Sequence, residues 1–462
     1  MAALLQLVRG NDGLTTGSAF SLLDYTNDFN AAYGGWVPAV AGGTEPDLVS
    51  EAITLRLRST HATAALSPVD DVSVGVQGLD EKLQQAEEYF DDEDELYGIW
   101  LQAQYEGESA LRQALVRRGR TAPQGSFLSL AGRRGVIPEY ILSLERFPWW
   151  ESMYSTGRGT EGVNCLGGRE TFAGPLATGD TNARIRYLSV TAYSLSGTLA
   201  EVWLGFRSNR YGMHTDLTTK WDLGNASVTR GDDTSRVSDA TAYGGYKSQV
   251  SFTTTASLVM RTEATLSTFS GNPEAQRGTY TVLLRAKAAT STCCYARLLS
   301  GYTSGSDYDY RDRVKIDSTA WKLYDMGTVC IPPYKSTMSG LAVIYSGFAL
   351  RIEAERTGGT VLDLDCLVLI PRSEGFAYIG SAAITGTYAA RVEMSPHGRV
   401  TSAQFTSTDA QSVNISLAHF ALPRGTCSVV AAGQTATQHY LTDSVAIYVA
   451  YIPRWRTLRG GA

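Results

Sequence analysis

The sequence lacks most of the marks by which enzymes announce themselves. It has no G-x-x-x-x-G-K-[ST], no H-E-x-x-H and no G-x-S-x-G, so the phosphate-cradling loop, the helical zinc pair and the nucleophile elbow are missing. It has only five histidines, His61, His214, His397, His419 and His439, none with a partner at metal or triad spacing. Its six cysteines, Cys165, Cys293, Cys294, Cys330, Cys366 and Cys427, contain no C-x-x-C pair. That spacing argues against a zinc framework, and the cysteines read as small apolar residues of a chain folded in reducing cytoplasm. No cofactor is expected. A net charge of −6 without a basic stripe argues against a nucleic-acid partner. No apolar run reaches the roughly 18 residues that a bilayer span needs. The opening MAALLQLVRG lacks a basic leader and a long apolar stretch, and reads as a first strand rather than a signal peptide.

What is present is β texture. The chain carries 46 glycines, 25 tyrosines and many short alternating runs, so a mainly β protein is expected. Its 462 residues suggest about three domains. The clearest stretch runs from Leu350 to Ile370. Leu350, Ile352 and Ala354 alternate with Arg351, Glu353 and Glu355; after Gly358-Gly359, Leu362, Leu364, Cys366, Val368 and Ile370 alternate with Asp363 and Asp365. This reads as a β-hairpin with its acids on a wet face. The same Asp363 and Asp365 are the spacing a glycosidase pair or a cation site would use, but the sequence shows no cleft around them.

Residues 1–155 read as an α+β unit. Strands are expected at Leu4–Val8, Glu51–Arg58, Ile99–Tyr105, Leu111–Arg118 and Tyr140–Arg146. Between them Val76, Leu79, Leu83, Ala86 and Phe90 fall on one helical face. The acids that follow, Asp91 to Glu95, oppose the helix dipole and form a solvated loop. Phe147-Pro148-Trp149-Trp150 closes the unit, and the glycine-rich 157–168 reads as a linking loop. Strands at Ala183–Ala192 and Leu199–Arg207 are apolar on both faces, and two strands cannot cover such faces alone. Residues 170–215 are therefore expected to join 376–462 in one split β-sandwich, with 217–374 inserted as a jelly roll.

In their order, LLQLVRGNDG, the helix at 74–90, ERFPWWE, ARIRYLSVT, EVWLGFRSNR, GTYTVLLRAKA, WKLYDMGTVCIPP and VAIYVAYIPRW resemble the distal-tail-type proteins of long-tailed bacteriophages. The resemblance implies a virion tail component assembled in the host cytoplasm: a ring-forming N-terminal domain, itself and other tail proteins as partners, and outer sandwiches like carbohydrate-binding modules that touch host surface glycans. A tail-tube or other tail protein with decoration domains, and a free carbohydrate-binding protein, are the alternatives. No catalytic or metal residue is assigned, and no enzymatic activity is expected. Tyr308 and Tyr310, alternating with Asp307 and Asp309, are the candidate glycan contacts, because rings stack on sugars and carboxylates accept their hydroxyl protons. Trp36, Trp149, Trp150 and Trp455 are the candidate assembly anchors.

Overall fold

The structure is a computed structural model. It describes residues 2–10, 19–22, 48–56, 79–88, 98–105, 110–123, 139–172, 183–208, 217–253, 260–265, 276–289, 294–302, 308–331, 336–338, 341–343, 348–356, 360–380, 382–385, 388–394, 400–405, 414–418, 422 and 425–455. Trp36, Asp307, the acids at 91–95 and every histidine but His439 lie outside them. The protein is mainly β, and 79–88 (α1) is the one α-helix among the described residues.

The first sheet comprises β1 (Ala2–Arg9), β2 (Phe20–Ser21), β3 (Val49–Arg56), β4 (Ile99–Tyr105), β5 (Arg112–Pro123), β6 (Glu139–Arg146) and β7 (Trp150–Ser152), in the order β2-β1-β4-β5-β6-β3 with β7 on β5. Helix α1 lays Leu79, Leu83 and Ala86 into this sheet's core, beside Leu5, Leu7, Ile53, Leu101 and Leu142. Three- and four-residue spacing is what puts those three side chains on one face. Glu51 of β3 is buried against the Arg146 guanidinium at 2.5 Å.

Next come β8 (Thr156–Asn164), β9 (Leu166–Thr171), β10 (Arg184–Ser194) and β11 (Glu201–Ser208). The stretch expected to be a loop is thus a pair of strands. Its glycines hide the alternation that marks a strand. The chain then builds fourteen strands: β12 (Lys220–Asp222), β13 (Thr229–Arg230), β14 (Thr234–Ser238), β15 (Tyr246–Ser251), β16 (Met260–Thr265), β17 (Gly278–Ala288), β18 (Cys294–Tyr302), β19 (Tyr308–Tyr310), β20 (Val314–Ile316), β21 (Lys322–Ile331), β22 (Ser336–Met338), β23 (Leu341–Val343), β24 (Phe348–Arg356) and β25 (Val361–Pro371). It closes with β26 (Phe376–Gly380), β27 (Ala390–Met394), β28 (Val400–Phe405), β29 (Asn414–Ala418), β30 (Cys427–Gln434), β31 (Ser444–Ile452) and β32 (Arg454–Trp455).

Strands before residue 209 and after residue 375 pair with one another. One sheet has the order β28-β27-β10-β31-β8 and its mate β29-β26-β11-β30-β9. Leu188, Val190, Val202, Leu204, Val429, Val449 and their neighbours form the core between them. Among the described residues the strands between β11 and β26, referred to below as the insert, make two larger sheets, β14-β15-β25-β17-β21 and β13-β16-β24-β18-β19, with β12 on β25 and β20 on β18, and a two-stranded sheet, β22-β23.

The stretch read as a hairpin is therefore not one. β24 pairs with β16 and β18, whereas β25 pairs with β12, β15 and β17. The chain crosses from one sheet to the other between them. Alternation reveals which face of a strand is apolar, not which strand lies beside it. The second arm is buried on both sides, and Asp363 and Asp365 are 2% and 0% exposed. Lys247 reaches Asp363 at 2.6 Å with Gln249 at 2.9 Å, and Arg285 pairs with Asp365. The expected wet acidic face is an interior charge layer.

The insert packs against the outer side of the β29-β26-β11-β30-β9 sheet. Leu166, Trp203, Phe376, Val430 and Ala432 of that sheet join the insert's core with Leu367, Val368 and Leu369. This explains why β11 and β30 are apolar on both faces: the sheet is covered twice. The approach is close enough that a Cβ on Gly205 would lie 2.5 Å from the Pro371 carbonyl oxygen.

Candidate functional site

An open cleft of about 410 Å³ lies along the seam where the insert meets the sandwich, within the roughly 300–1,000 Å³ of small-ligand pockets. One wall is cross-strand chemistry. Antiparallel register sets Trp203 of β11 opposite Tyr378 of β26, Tyr378 opposite Ser416 of β29, and Glu201 opposite Gln434 of β30. Odd positions of β11 therefore send Glu201 and Trp203 toward the cleft, while Val202 and Leu204 enter the sandwich core. The Trp203 and Tyr378 rings lie 5.2 Å apart at 40°. The other wall is Lys322, Leu323, Tyr324 and Asp325 of β21, with Arg372 and Phe376 at one end.

Gln434 ties the walls together. It accepts from the Leu323 backbone N–H at 2.7 Å and donates to the Leu323 carbonyl at 3.1 Å. The same side-chain nitrogen donates to Glu201 Oε2 at 2.5 Å, and the Tyr378 hydroxyl donates to Glu201 Oε1 at 2.8 Å. Burial, and then the hydrogen bond to Glu201, push the Tyr378 phenol well above its ordinary value. The guanidinium of Arg372 lies 4.5 Å over the Phe376 ring and donates to the Thr281 and Thr328 hydroxyls, both at 3.3 Å. Lys322 donates to the Ala436 carbonyl at 3.3 Å. Aromatic rings, acceptors and neutral-bonded cations thus face one space.

The residues expected to contact glycans are not in it. Tyr308–Tyr310 is β19, an edge strand of a sheet that supplies nothing to the cleft. Asp309 is exposed, and Tyr310 is 53% exposed with the Arg297 guanidinium 4.6 Å over its ring. Tyr308 shares the strand. The candidate anchors among the described residues pack against arginines of the same chain. Trp150 is fully buried beside Arg146, Trp149 lies by Arg454, and Trp455 lies by Arg112. β32 pairs with β7 there, so these rings fasten β32 to the first sheet, and Trp150 is fully buried within the chain. Arg230 of the Arg230-Gly231-Asp232 string is consumed by Ser248 and the carbonyls of Leu223, Asn225 and Val228. Among the described residues no cluster of His, Cys, Asp or Glu could hold a metal ion, and no helix is long and apolar enough to cross a membrane.

No protein-family model matches the sequence, and no curated protein matches it. Among solved structures, a family 35 carbohydrate-binding module from Clostridium thermocellum overlaps 33% of this chain and 99% of its own, at 12% identity and a TM-score of 0.22. The N-terminal tandem CBM22 domain from Paenibacillus barcinonensis Xyn10C overlaps 57% of this chain and 99% of its own, at 10% identity and a TM-score of 0.22. An Arthrobacter globiformis T6 isomalto-dextranase complexed with panose overlaps 48% of this chain and 36% of its own, at 12% identity and a TM-score of 0.24. Likeness of this degree fixes neither a family nor a ligand.

The cleft's signal in the sequence is rings on a face that a simple sandwich would leave polar. EVWLGFR places a ring on each face, Trp203 on one and Phe206 on the other, and FAYIG sets Phe376 and Tyr378 on the face opposite Ala377 and Ile379, whereas a strand of a two-layer sandwich needs only one apolar face. Rings on the second face mark something else packed or bound there.

Proposed function

We propose that this protein is a non-catalytic structural component of a phage tail that holds a glycan in the cleft between its sandwich and its insert. The observation that carries the glycan reading is the row Trp203–Tyr378 beside Glu201, Gln434 and Arg372. A sugar presents an apolar C–H face and a rim of hydroxyls. Rings take the first, and fixed donors and acceptors take the second. Both carboxylate oxygens of Glu201 are already engaged, which suits orienting a hydroxyl rather than transferring a proton. The tail assignment rests on the order of segments that resembles distal-tail-type proteins. It is supported by β3, whose outer edge pairs with no strand among the described residues. An eight-residue edge of this kind is suited to strand addition by another copy.

A glycan array probed with the full chain tests the binding. Signals that weaken about tenfold in Arg372→Ala and Glu201→Gln are expected, the loss of one charge-assisted hydrogen bond. A blank array sinks the glycan reading. Mass photometry tests assembly: rings are expected at raised concentration, and a strict monomer throughout counts against the ring.

A further inference from the structure

We infer a second carbohydrate surface, separate from the cleft: a flat tyrosine platform on the outer face of the β28-β27-β10-β31-β8 sheet that takes the pyranose faces of an extended, uncharged polysaccharide. The face is built by register. Tyr448 of β31 stands opposite Ser189 of β10 on one side and Gly159 of β8 on the other, and Ala450 stands opposite Gly157. Val445, Ile447 and Val449, the intervening residues of β31, are buried in the sandwich, so Tyr448 points outward.

The glycines of β8 let the rings lie down. A Cβ on Gly157 would sit 1.5 Å from Tyr448 Oη, and one on Gly159 would sit 3.5 Å from the same ring. Gly162, held at a φ of 70°, lies by Tyr193, where a Cβ would sit at ordinary contact distance, 3.6 Å from the ring. Tyr193 continues the outward series of β10, and small Ala446 stands opposite Thr191 beside it. Tyr448 and Tyr193 thus rest on bare backbone and remain 41% and 59% exposed. Tyr187 supports Tyr448 from the side, with centroids 5.8 Å apart and planes at 26°.

Covering glycines needs no more than one ring face; the opposite faces are left to solvent. Between the two rings the strip carries Ser189, Thr191 and Ala446, with the exposed Glu161 of β8 at its margin. The flanking Arg391 is paired with Glu393 at 2.9 Å. A membrane or protein partner would be met by a wider apolar patch or by unpaired charge. Flat rings among hydroxyls match sugar rings, whose C–H faces stack while their edges hydrogen-bond. At about 3.3 Å per residue, Gly159 and Gly162 place the rings on the order of 10 Å apart, so the ligand is a chain spanning both.

The test is sedimentation of the full chain with microcrystalline cellulose and with chitin. Wild type should pellet with at least one of them. Tyr193→Ala should weaken that binding about tenfold, the loss of one stacked ring. Tyr448→Phe keeps the ring over the glycines and should weaken binding less than Tyr193→Ala does. Glu201→Gln should also pellet like wild type, which separates the platform from the cleft: array binding can fail while sedimentation holds, and the reverse. Failure to pellet with either solid, or a Tyr193→Ala protein that pellets like wild type, overturns the platform.

Discussion

Two acid-centred clusters stand along the seam between insert and sandwich, and they put similar residues to opposite use. At the cleft, Glu201 is held by neutral partners, Tyr378 and Gln434, and faces open space. Farther along, Asp365 is fully buried and paired with Arg285, which also donates to His439 Nδ1 at 3.1 Å. The other His439 nitrogen meets the Cys165 carbonyl at 3.2 Å, and the His439 backbone N–H donates to the Trp321 carbonyl at 2.6 Å. Arg285 and Lys287 both lie over the Trp321 ring, at 4.8 and 4.2 Å. This second cluster is a joint. A buried carboxylate with a full-charge partner fixes the insert in place, whereas one with neutral partners and an open side is left with capacity for a ligand.

The comparison breaks most visibly at the joint. Asp365→Ala leaves the Arg285 charge buried without its partner and should cost about 3–5 kcal/mol, read as a lowered urea midpoint. A change under about 1 kcal/mol would show that the insert is held by apolar packing alone.

Acid should sharpen the contrast. Burial, and then the Arg285 charge, hold His439 down to about 3 from its ordinary 6.5. Between those values the unfolded chain binds a proton that the folded chain does not, so stability falls as pH drops through that window. Asp365 opposes this more weakly: burial raises it from 3.8 to about 6, so over that range the folded chain binds its proton more tightly. The two uptakes nearly cancel between about pH 6 and 3.8, so acidification changes stability little there and destabilises below 3.8, down to about 3. His439→Gln should turn the plateau into a rise of urea midpoint as pH falls from 6 to 3.8, and an unchanged profile would exclude a His439 contribution.

The smallest effect belongs to the cleft. Tyr378→Phe removes one hydrogen bond at the edge of open space and should cost only about 0.5–1.5 kcal/mol, a thermal shift of a few degrees at most. A loss as large as that of Asp365→Ala would mean that the cleft wall is itself a joint.

How much of this was legible follows the range of each signal. Leu79, Leu83 and Ala86 were readable as a helix face because their spacing is local. So was the double apolar face of LAEVWLGFR, which fits a strand covered by the sandwich on one side and the insert on the other. The partners of Asp363 and Asp365 were not readable: Lys247 and Arg285 lie about 80 to 116 residues away, and alternation alone makes a buried acid look wet. Strand β8 was missed because its side-chain cover, Tyr448 and Tyr193, comes from other strands. Tyr310 was chosen for its local pattern of rings and acids, while the cleft's rings are assembled only by cross-strand register.

The chain leaves the sandwich at the end of β11 and re-enters at β26, and Gly205 and Phe376 sit side by side in that ladder. A single short turn could therefore replace the whole insert without disturbing the pairing on either side. What would resist such an excision is not connectivity but the bared skin of Trp203, Phe376 and Val430, a greasy patch that would drive the shortened molecule to self-associate until those positions were made polar.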